Sequence, residues 1–130
     1  MNQIHWNIPM RLVSCANEAE HWATKYRRNK KQKMEIWIRF VNEKPKIDFP
    51  CFIIMTRNGP RLLDDNNLIS SFKYIQDEIA NQLIPGLRPG FADSSTNLIW
   101  HYKQTKSKHY SIDIQIKGFT SMLDNKDTLK

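Results

Sequence analysis

The stretch DFPCFIIMTRNGPRLLDDNNLISSFKYIQDEIANQL, residues 48–83, reads as a buried strand, a turn and an amphipathic helix in succession. Residues 48–55 carry an apolar, β-favouring run with Pro50 near its start, which predicts a buried strand. Asn58-Gly59-Pro60 predicts a turn. Asp65 or Asn66 is the expected N-cap of the helix that follows. Its apolar stripe has three- and four-residue spacing and consists of Leu68, Phe72, Ile75, Ile79 and Leu83.

Towards the N-terminus, residues 4–9 alternate apolar and polar side chains, which predicts a half-buried strand. Helix capping residues precede Asn17, and apolar residues at three- and four-residue spacing follow it, so we expect a helix to begin there. Residues 34–41 fit either a continuation of this helix or a strand. We favour one long helix ending before Lys44-Pro45, because no turn residue interrupts it earlier.

Towards the C-terminus, a loop over residues 84–97 precedes an expected strand over residues 98–103. A hairpin through residues 106–109 is then expected to lead to an alternating strand over residues 110–117. Residues 119–130 have the composition of a polar tail. The order β-α-β-α-β-β predicts a single α+β domain over residues 1–118, with a mixed sheet covered by two helices.

Composition limits the class of protein. A chain of 130 residues fits one domain, since single cores typically need about 100–150 residues. No stretch approaches the roughly 18 consecutive apolar residues of a membrane helix, and the start lacks a secretory signal. Cys15 and Cys51 fit neither a disulfide framework nor a zinc spacing. We therefore expect a cytoplasmic protein with no membrane partner, in which both thiols pack as small apolar groups.

The formal net charge is +7, and it is concentrated between residues 25 and 33. That segment contains no acid, and its cations are Lys25, Arg27, Arg28, Lys30, Lys31 and Lys33. A second, looser basic group comprises Lys103, Lys106, Lys108 and His109. A solvated helix face is the simplest explanation of such a run. Here Trp22 and Tyr26 adjoin the run, and this combination favours nucleic acid as the partner.

The segment between the predicted strand and the helix contains four consecutive oxygen-bearing side chains, Asp64, Asp65, Asn66 and Asn67. Consecutive oxygen ligands of this kind can hold a divalent cation such as Mg²⁺. The same residues are also common helix caps, and the positive end of a helix favours carboxylates over metal ions. Asp93 lies in the later loop, where the fold could bring it beside Asp64. Converging carboxylates next to a basic surface suit metal-dependent phosphodiester hydrolysis.

At these residues the chain resembles the RusA-type Holliday-junction resolvases, particularly their phage and prophage relatives. The family pattern is a strand ending in proline, a basic helix, a strand leading to an Asp-rich helix start, a later acidic loop and a final hairpin. The matching segments are Ile8-Pro9, residues 15–33, RLLDDNNL at 61–68, SSFKYIQDEIA at 70–80, Asp93 and IWHYKQ at 99–104. The resemblance extends from about residue 3 to residue 117.

The resemblance implies a cytosolic homodimer that binds branched DNA, the four-way junction, and cuts two strands with Mg²⁺ or Mn²⁺. It implies metal ligands at Asp64, Asn66 and Asp93. Asn66 departs from the family, where this ligand is an aspartate, and a lost ligand charge should weaken metal binding unless Asp65 turns inward. The catalytic lysine of the family falls on Ser70 by direct count, and Lys73 would serve one turn later.

Three functional hypotheses follow. The first is a metal-dependent endonuclease in which Asp64, Asp93 and either Asp65 or Asn66 form the metal shell and Lys73 contacts the phosphate. The second is a catalytically impaired relative that binds branched DNA without cutting it. The third is a basic interaction domain whose tryptophans, Trp22, Trp37 and Trp100, belong to the core. The histidines show no ligand spacing, and we interpret them as structural or surface residues.

Overall fold

The computed structural model describes residues 2–13, 22–86 and 95–124, the last three of these by their backbone alone. Its elements follow the predicted order except that the second helix forms as two and a short helix is added at the end. They are β1 (Gln3–Ile8), α1 (Trp22–Glu43), β2 (Cys51–Gly59), α2 (Asp65–Ser71), α3 (Lys73–Leu83), β3 (Leu98–Lys106), β4 (Ser111–Lys117) and α4 (Phe119–Asp124). The predicted α+β class is confirmed. The expected helix start near Asn17, as well as Cys15, His21 and Asp93, lies outside the described residues.

Within the described residues the strands form one mixed sheet in the order β1-β4-β2-β3. The strand β2 pairs in parallel with β3, from Cys51↔Leu98 to Gly59↔Lys106, while β4 runs antiparallel to both β1 and β2. The mixed sheet that the sequence predicts is therefore present.

The expected hairpin between the last two strands is wrong, because β3 and β4 lie on opposite sides of β2. Their connection passes the end of β2, where Ser107 N donates a 2.8 Å hydrogen bond to the Gly59 carbonyl. Strands two positions apart are separated by about 10 Å. Since extended chain covers about 3.3 Å per residue, a short connection suffices for this crossing as well as for a hairpin.

One face of the sheet is buried and the other, the outer face, is half-exposed. The buried face carries Ile4, Trp6, Ile8, Ile53, Met55, Ile112, Ile114 and Ile116. The alternation predicted for the first and last strands is thus confirmed. Cys51 is also fully buried and has a free thiol, whose pKa is raised to about 11 chiefly by burial and further by the charge of Asp48. It packs as the small apolar group that the sequence predicts.

The helix α1 continues without a break to Glu43, so the helical alternative for residues 34–41 is correct. It contains neither glycine nor proline, and it ends where Lys44 adopts a positive φ of 46° ahead of Pro45. Gln32, Ile36 and Phe40 form its buried side. It packs against α3.

The second predicted helix forms as two, α2 and α3, with Phe72 between them. The Ser71 hydroxyl donates a 2.6 Å hydrogen bond to the Leu68 carbonyl, and Phe72 N bonds Ile69 O at 3.1 Å, as in a tight turn. Side-chain bonds of this kind compete with the regular helical pattern. Four members of the predicted stripe, Leu68, Phe72, Ile75 and Ile79, are buried, and the fifth, Leu83, is half-buried.

Two compact units make up the chain. The sheet unit comprises residues 1–11, 45–62 and 95–130, and the helical unit comprises residues 12–44 and 63–94. The covering of the sheet by two helices stays a prediction. Residues 119–124 of the expected polar tail form α4, and the Asp48 carboxylate accepts hydrogen bonds from the Thr120 backbone and hydroxyl.

Candidate nucleic-acid interface

Aromatic side chains project into solvent along α1. Trp22 is 73% exposed, Tyr26 60% and Trp37 45%. The expectation that Trp22 and Trp37 belong to the core is therefore wrong, while Trp100 is half-buried. The positions facing inward are already occupied by Ile36 and by other residues of the buried side. Aromatic residues are enriched at interaction surfaces relative to the rest of a protein surface.

Two lysines follow Tyr26 on the same side of α1, one and two turns later. Tyr26, Asn29, Lys30 and Lys33 line a shallow cavity of about 250 Å³. Their spacing of three, four and seven residues places them on one helix face, and Trp22 continues this face towards the N-terminus. We call these five residues the aromatic–basic face. It offers ring surface for stacking and ammonium groups for phosphate contacts.

The predicted DNA-binding cations divide into two sets. Arg27, Lys30 and Lys31 are exposed, whereas Lys25, Arg28 and Lys33 are half-buried. The first acid along α1 is Glu35, and it pairs with Arg39 at 2.8 Å one turn later. The positive charge of the first half of α1 is therefore not neutralised within the helix.

The second half of α1 is different in character. Met34, Trp37, Ile38 and Val41 are each between about two-fifths and one-half exposed. At this spacing they form one continuous group on the helix, which we call the apolar patch. The helix thus changes from cationic to apolar along its exposed side.

Asp64 is the N-cap of α2, one residue earlier than predicted. Its Oδ1 accepts a 2.8 Å hydrogen bond from Asn67 N, and its Oδ2 accepts one of 2.9 Å from Asn67 Nδ2. Both carboxylate oxygens are therefore used within the turn. The capping interpretation of the DDNN segment holds for Asp64.

Asp65 and Asn66 are exposed in the first turn of α2, and Lys73 is exposed at the start of α3. Ser70 is half-buried. The part of the chain that the structure describes contains no group of three acidic, histidine or cysteine side chains arranged for a metal ion. Asp64 and Asp65 offer two carboxylates, and Mg²⁺ bound by so few usually completes its shell with waters and substrate phosphates. The metal roles of Asp64, Asn66 and Asp93 stay predictions that depend on Asp93.

The looser basic group lies in the sheet unit. Lys103 and Lys106 are exposed on β3, and Lys108 and His109 are exposed in the connection that crosses the end of β2. These side chains extend positive charge along one edge of the sheet.

Sequence reasoning missed two clusters in the sheet unit. On the outer face, the Asp113 carboxylate accepts hydrogen bonds from Asn7, Asn58 and His5, which agrees with a structural role for that histidine. On the buried face, Arg57 lies beside Tyr110. The sequence did contain an indication of the second cluster. Arg57 occupies an inward position in the alternation of β2, and charged side chains are rarely buried without a partner.

None of the helices that the structure describes is both long and apolar enough to cross a membrane. Comparisons of the chain with protein families, curated proteins and solved structures found no match. The resemblance to RusA-type resolvases rests on the sequence motifs alone and stays a prediction.

Proposed function

We propose that this chain binds branched DNA through the aromatic–basic face of α1. The observation that carries the proposal is the shared face of Tyr26, Lys30 and Lys33, with Trp22 exposed beside it. Stacking of a base on an aromatic ring contributes about 1–3 kcal/mol. Base faces become accessible where the stack of base pairs is interrupted, as at the centre of a junction and at strand ends. The lysines supply the phosphate contacts that dominate affinity for any nucleic acid. The preference for a four-way junction comes from the resemblance.

The test is a binding titration with a labelled four-way junction and with a linear duplex of the same sequence, in EDTA. The variant Lys30→Gln/Lys33→Gln should bind both DNAs more weakly. Lys44→Gln/Lys46→Gln removes the same charge from residues outside the interface and should bind almost as the parent chain does. Equal losses in the two double variants would attribute binding to net charge alone and overturn the assignment to α1.

A separate variant examines stacking. Tyr26→Leu keeps an apolar side chain and removes the aromatic ring, so it should weaken junction binding while leaving the lysines in place. Tyr74→Leu changes a half-buried tyrosine of α3 and serves as the comparison. If Tyr26→Leu bound the junction as tightly as the parent chain, stacking would have no part in recognition.

Metal-dependent cleavage of the bound junction is the second candidate function. Asp65 and Asn66 are exposed next to Asp64, and Lys73 is exposed at the start of the following helix. Incubation with Mg²⁺ or Mn²⁺ should yield paired nicks. Asp93→Asn should abolish the nicks and spare binding, and Asn66→Asp should increase them. If the junction stayed intact with either cation, cleavage would be excluded and binding would be the sole proposed function.

We also propose that the chain forms a homodimer through the apolar patch of α1. Contiguous exposed apolar residues are typical of an interaction surface, and the resemblance implies a homodimer. Sedimentation equilibrium of the parent chain should give the dimer mass, and Ile38→Glu should shift the mass to that of the monomer. A parent chain that sediments as a monomer at high concentration would exclude this interface.

A further inference from the structure

Arg57 is a cation inside the sheet unit. It lies on β2 in the same inward row as Cys51, Ile53 and Met55, and its relative exposure is only 5%. Taking a charged group out of water costs several kcal/mol unless an opposite charge or a full set of hydrogen bonds compensates it. The groups that surround this guanidinium therefore indicate which ligand could compensate its charge.

Its partners within the chain are few. Arg57 Nη1 donates a 2.7 Å hydrogen bond to the Arg61 carbonyl, and Arg57 Cζ lies 5.9 Å from the centre of the Tyr110 ring. Among the described residues, Nε has no hydrogen-bond partner and no carboxylate forms an ion pair with this side chain. The acid on neighbouring β4, Asp113, is bound to side chains of the outer face instead.

A second guanidinium lies against the same ring. Arg11 is exposed, and its Cζ is 4.8 Å from the centre of Tyr110. The pKa of Arg57 is lowered chiefly by burial; the phenolate form of Tyr110 would raise it, and the charge of Arg11 lowers it. Two cations share one aromatic ring, with no anion from the described chain between them.

The backbone at Gly59 makes this arrangement possible. A Cβ atom at Gly59 would lie 3.0 Å from Tyr110 Cδ1 and 3.4 Å from Arg57 Nη1. The missing side chain therefore lets the ring pack directly on the end of β2. Both the buried and the exposed guanidinium lie against this ring.

We propose that Arg11 and Arg57, held around Tyr110, form a binding site for a phosphate group. Planar guanidinium groups match the oxygens of phosphate with paired, charge-assisted hydrogen bonds. A bound phosphate would offset the repulsion between the two arginines and accept from donors, such as Arg57 Nε, that have no partner among the described residues. The site is in the sheet unit and includes no residue of α1. The phosphate could belong to a nucleic-acid backbone or to a free phosphate monoester.

Inorganic phosphate is the first probe. Its binding is measured by calorimetry and by thermal unfolding, with chloride at equal ionic strength as the reference. The parent chain should show phosphate-specific binding and a higher Tm. Arg11→Gln should weaken phosphate binding by about tenfold or more, because a charged hydrogen bond contributes about 1.5–3 kcal/mol. Arg39→Gln removes an arginine that already pairs with Glu35 and should bind phosphate as the parent does.

Arg11 is exposed, so its variant should fold even if substitutions at Arg57 do not. Arg57→Lys keeps the charge but loses the planar fork and should also weaken binding. Gly59→Ala should do the same by displacing Tyr110. Absence of phosphate-specific binding in the parent chain would overturn the site, as would equal affinities in Arg11→Gln and Arg39→Gln.

Competition identifies the source of the phosphate. If duplex DNA displaces inorganic phosphate from the parent chain, the site takes a backbone phosphate of DNA. If a nucleoside monophosphate displaces phosphate and duplex DNA does not, the site takes a free monoester. If the α1 variants lost DNA binding but kept phosphate binding, the two sites would be separate. The phosphate site would then be supported even if the proposed DNA interface proved wrong.

Discussion

Asn58 Nδ2 donates a 2.7 Å hydrogen bond to Asp113 Oδ2, joining β2 to β4 across the outer face of the sheet. From the opposite side, Asn7 Nδ2 of β1 donates to Asp113 Oδ1 at 2.9 Å. His5 Nε2 lies 3.2 Å from the same oxygen. One carboxylate therefore links three neighbouring strands, and it does so in its charged form.

The pH dependence of stability follows from this link. Burial alone would raise the pKa of Asp113, but the hydrogen bonds from Asn7, Asn58 and His5 lower it below the ordinary value of 3.8. A lowered native pKa contributes stability above the unfolded value, and this contribution disappears as the pH falls through the native pKa. Asp113→Asn should therefore destabilise the protein at about pH 6 and much less at about pH 3. Urea unfolding of the parent chain and the variant at the two pH values measures the loss of unfolding free energy. An equal loss at both pH values would contradict the prediction.

The N-cap at Asp64 separates a structural role from a chemical one. Asp64→Ala removes the cap and should cost about 0.5–2 kcal/mol of unfolding free energy, whereas Asp64→Asn preserves capping and should cost little. If Asp64 also binds a metal, both variants should lose junction cleavage. Denaturant unfolding and the cleavage assay together distinguish the roles. If Asp64→Ala were as stable as the parent chain, the cap would contribute nothing to the free energy of unfolding.

Salt dependence reports the contacts of the aromatic–basic face. The logarithm of DNA affinity should fall linearly with the logarithm of salt concentration, with a slope of about −0.9 for each phosphate neutralised. Removing Lys30 and Lys33 together should make the slope less steep by about 2. Lys44→Gln/Lys46→Gln should leave the slope near that of the parent chain. A flat salt response of the parent chain would favour the third hypothesis, a basic interaction domain.

Gly118 tests the packing between the chain start and the residues before α4. Its N–H donates a 2.9 Å hydrogen bond to the Asn2 carbonyl, and a Cβ atom there would collide with the side chains of Asn2 and Asp48. Gly118→Ala should destabilise the protein by about 1–3 kcal/mol, as overpacking does elsewhere. In an Asn2→Ala background the same substitution should cost less, since one colliding side chain is gone. Additive effects of the two substitutions would contradict this packing.

Much of the candidate interface was predictable. The cations and Tyr26 of α1 form a local pattern, and helical spacing places Tyr26, Lys30 and Lys33 on one face without reference to the rest of the chain. The exposure of Trp22 and Trp37 was not predictable, because apolar residues at helical spacing fit a buried stripe equally well. Which side of a helix is covered depends on the residues packed against it.

The Arg11–Arg57 site shows the same division more sharply. Arg57 could be singled out as a cation at an inward strand position, but its proximity to Tyr110 and Arg11 joins segments far apart in sequence. The order of the strands likewise escaped prediction. A connection four residues long can close a hairpin or pass over one strand, and the same reach serves both.

The amino-acid sequence by itself determined the α+β order of the main elements, the alternation of the first and last strands, and the helical conformation and charge of residues 22–43. These depend on side-chain periodicity and on residues close together along the chain. The tertiary structure alone decided that β4 lies between β1 and β2 and that two arginines meet at one tyrosine. Such outcomes depend on which distant segments pack together, and local periodicity carries no information about that choice.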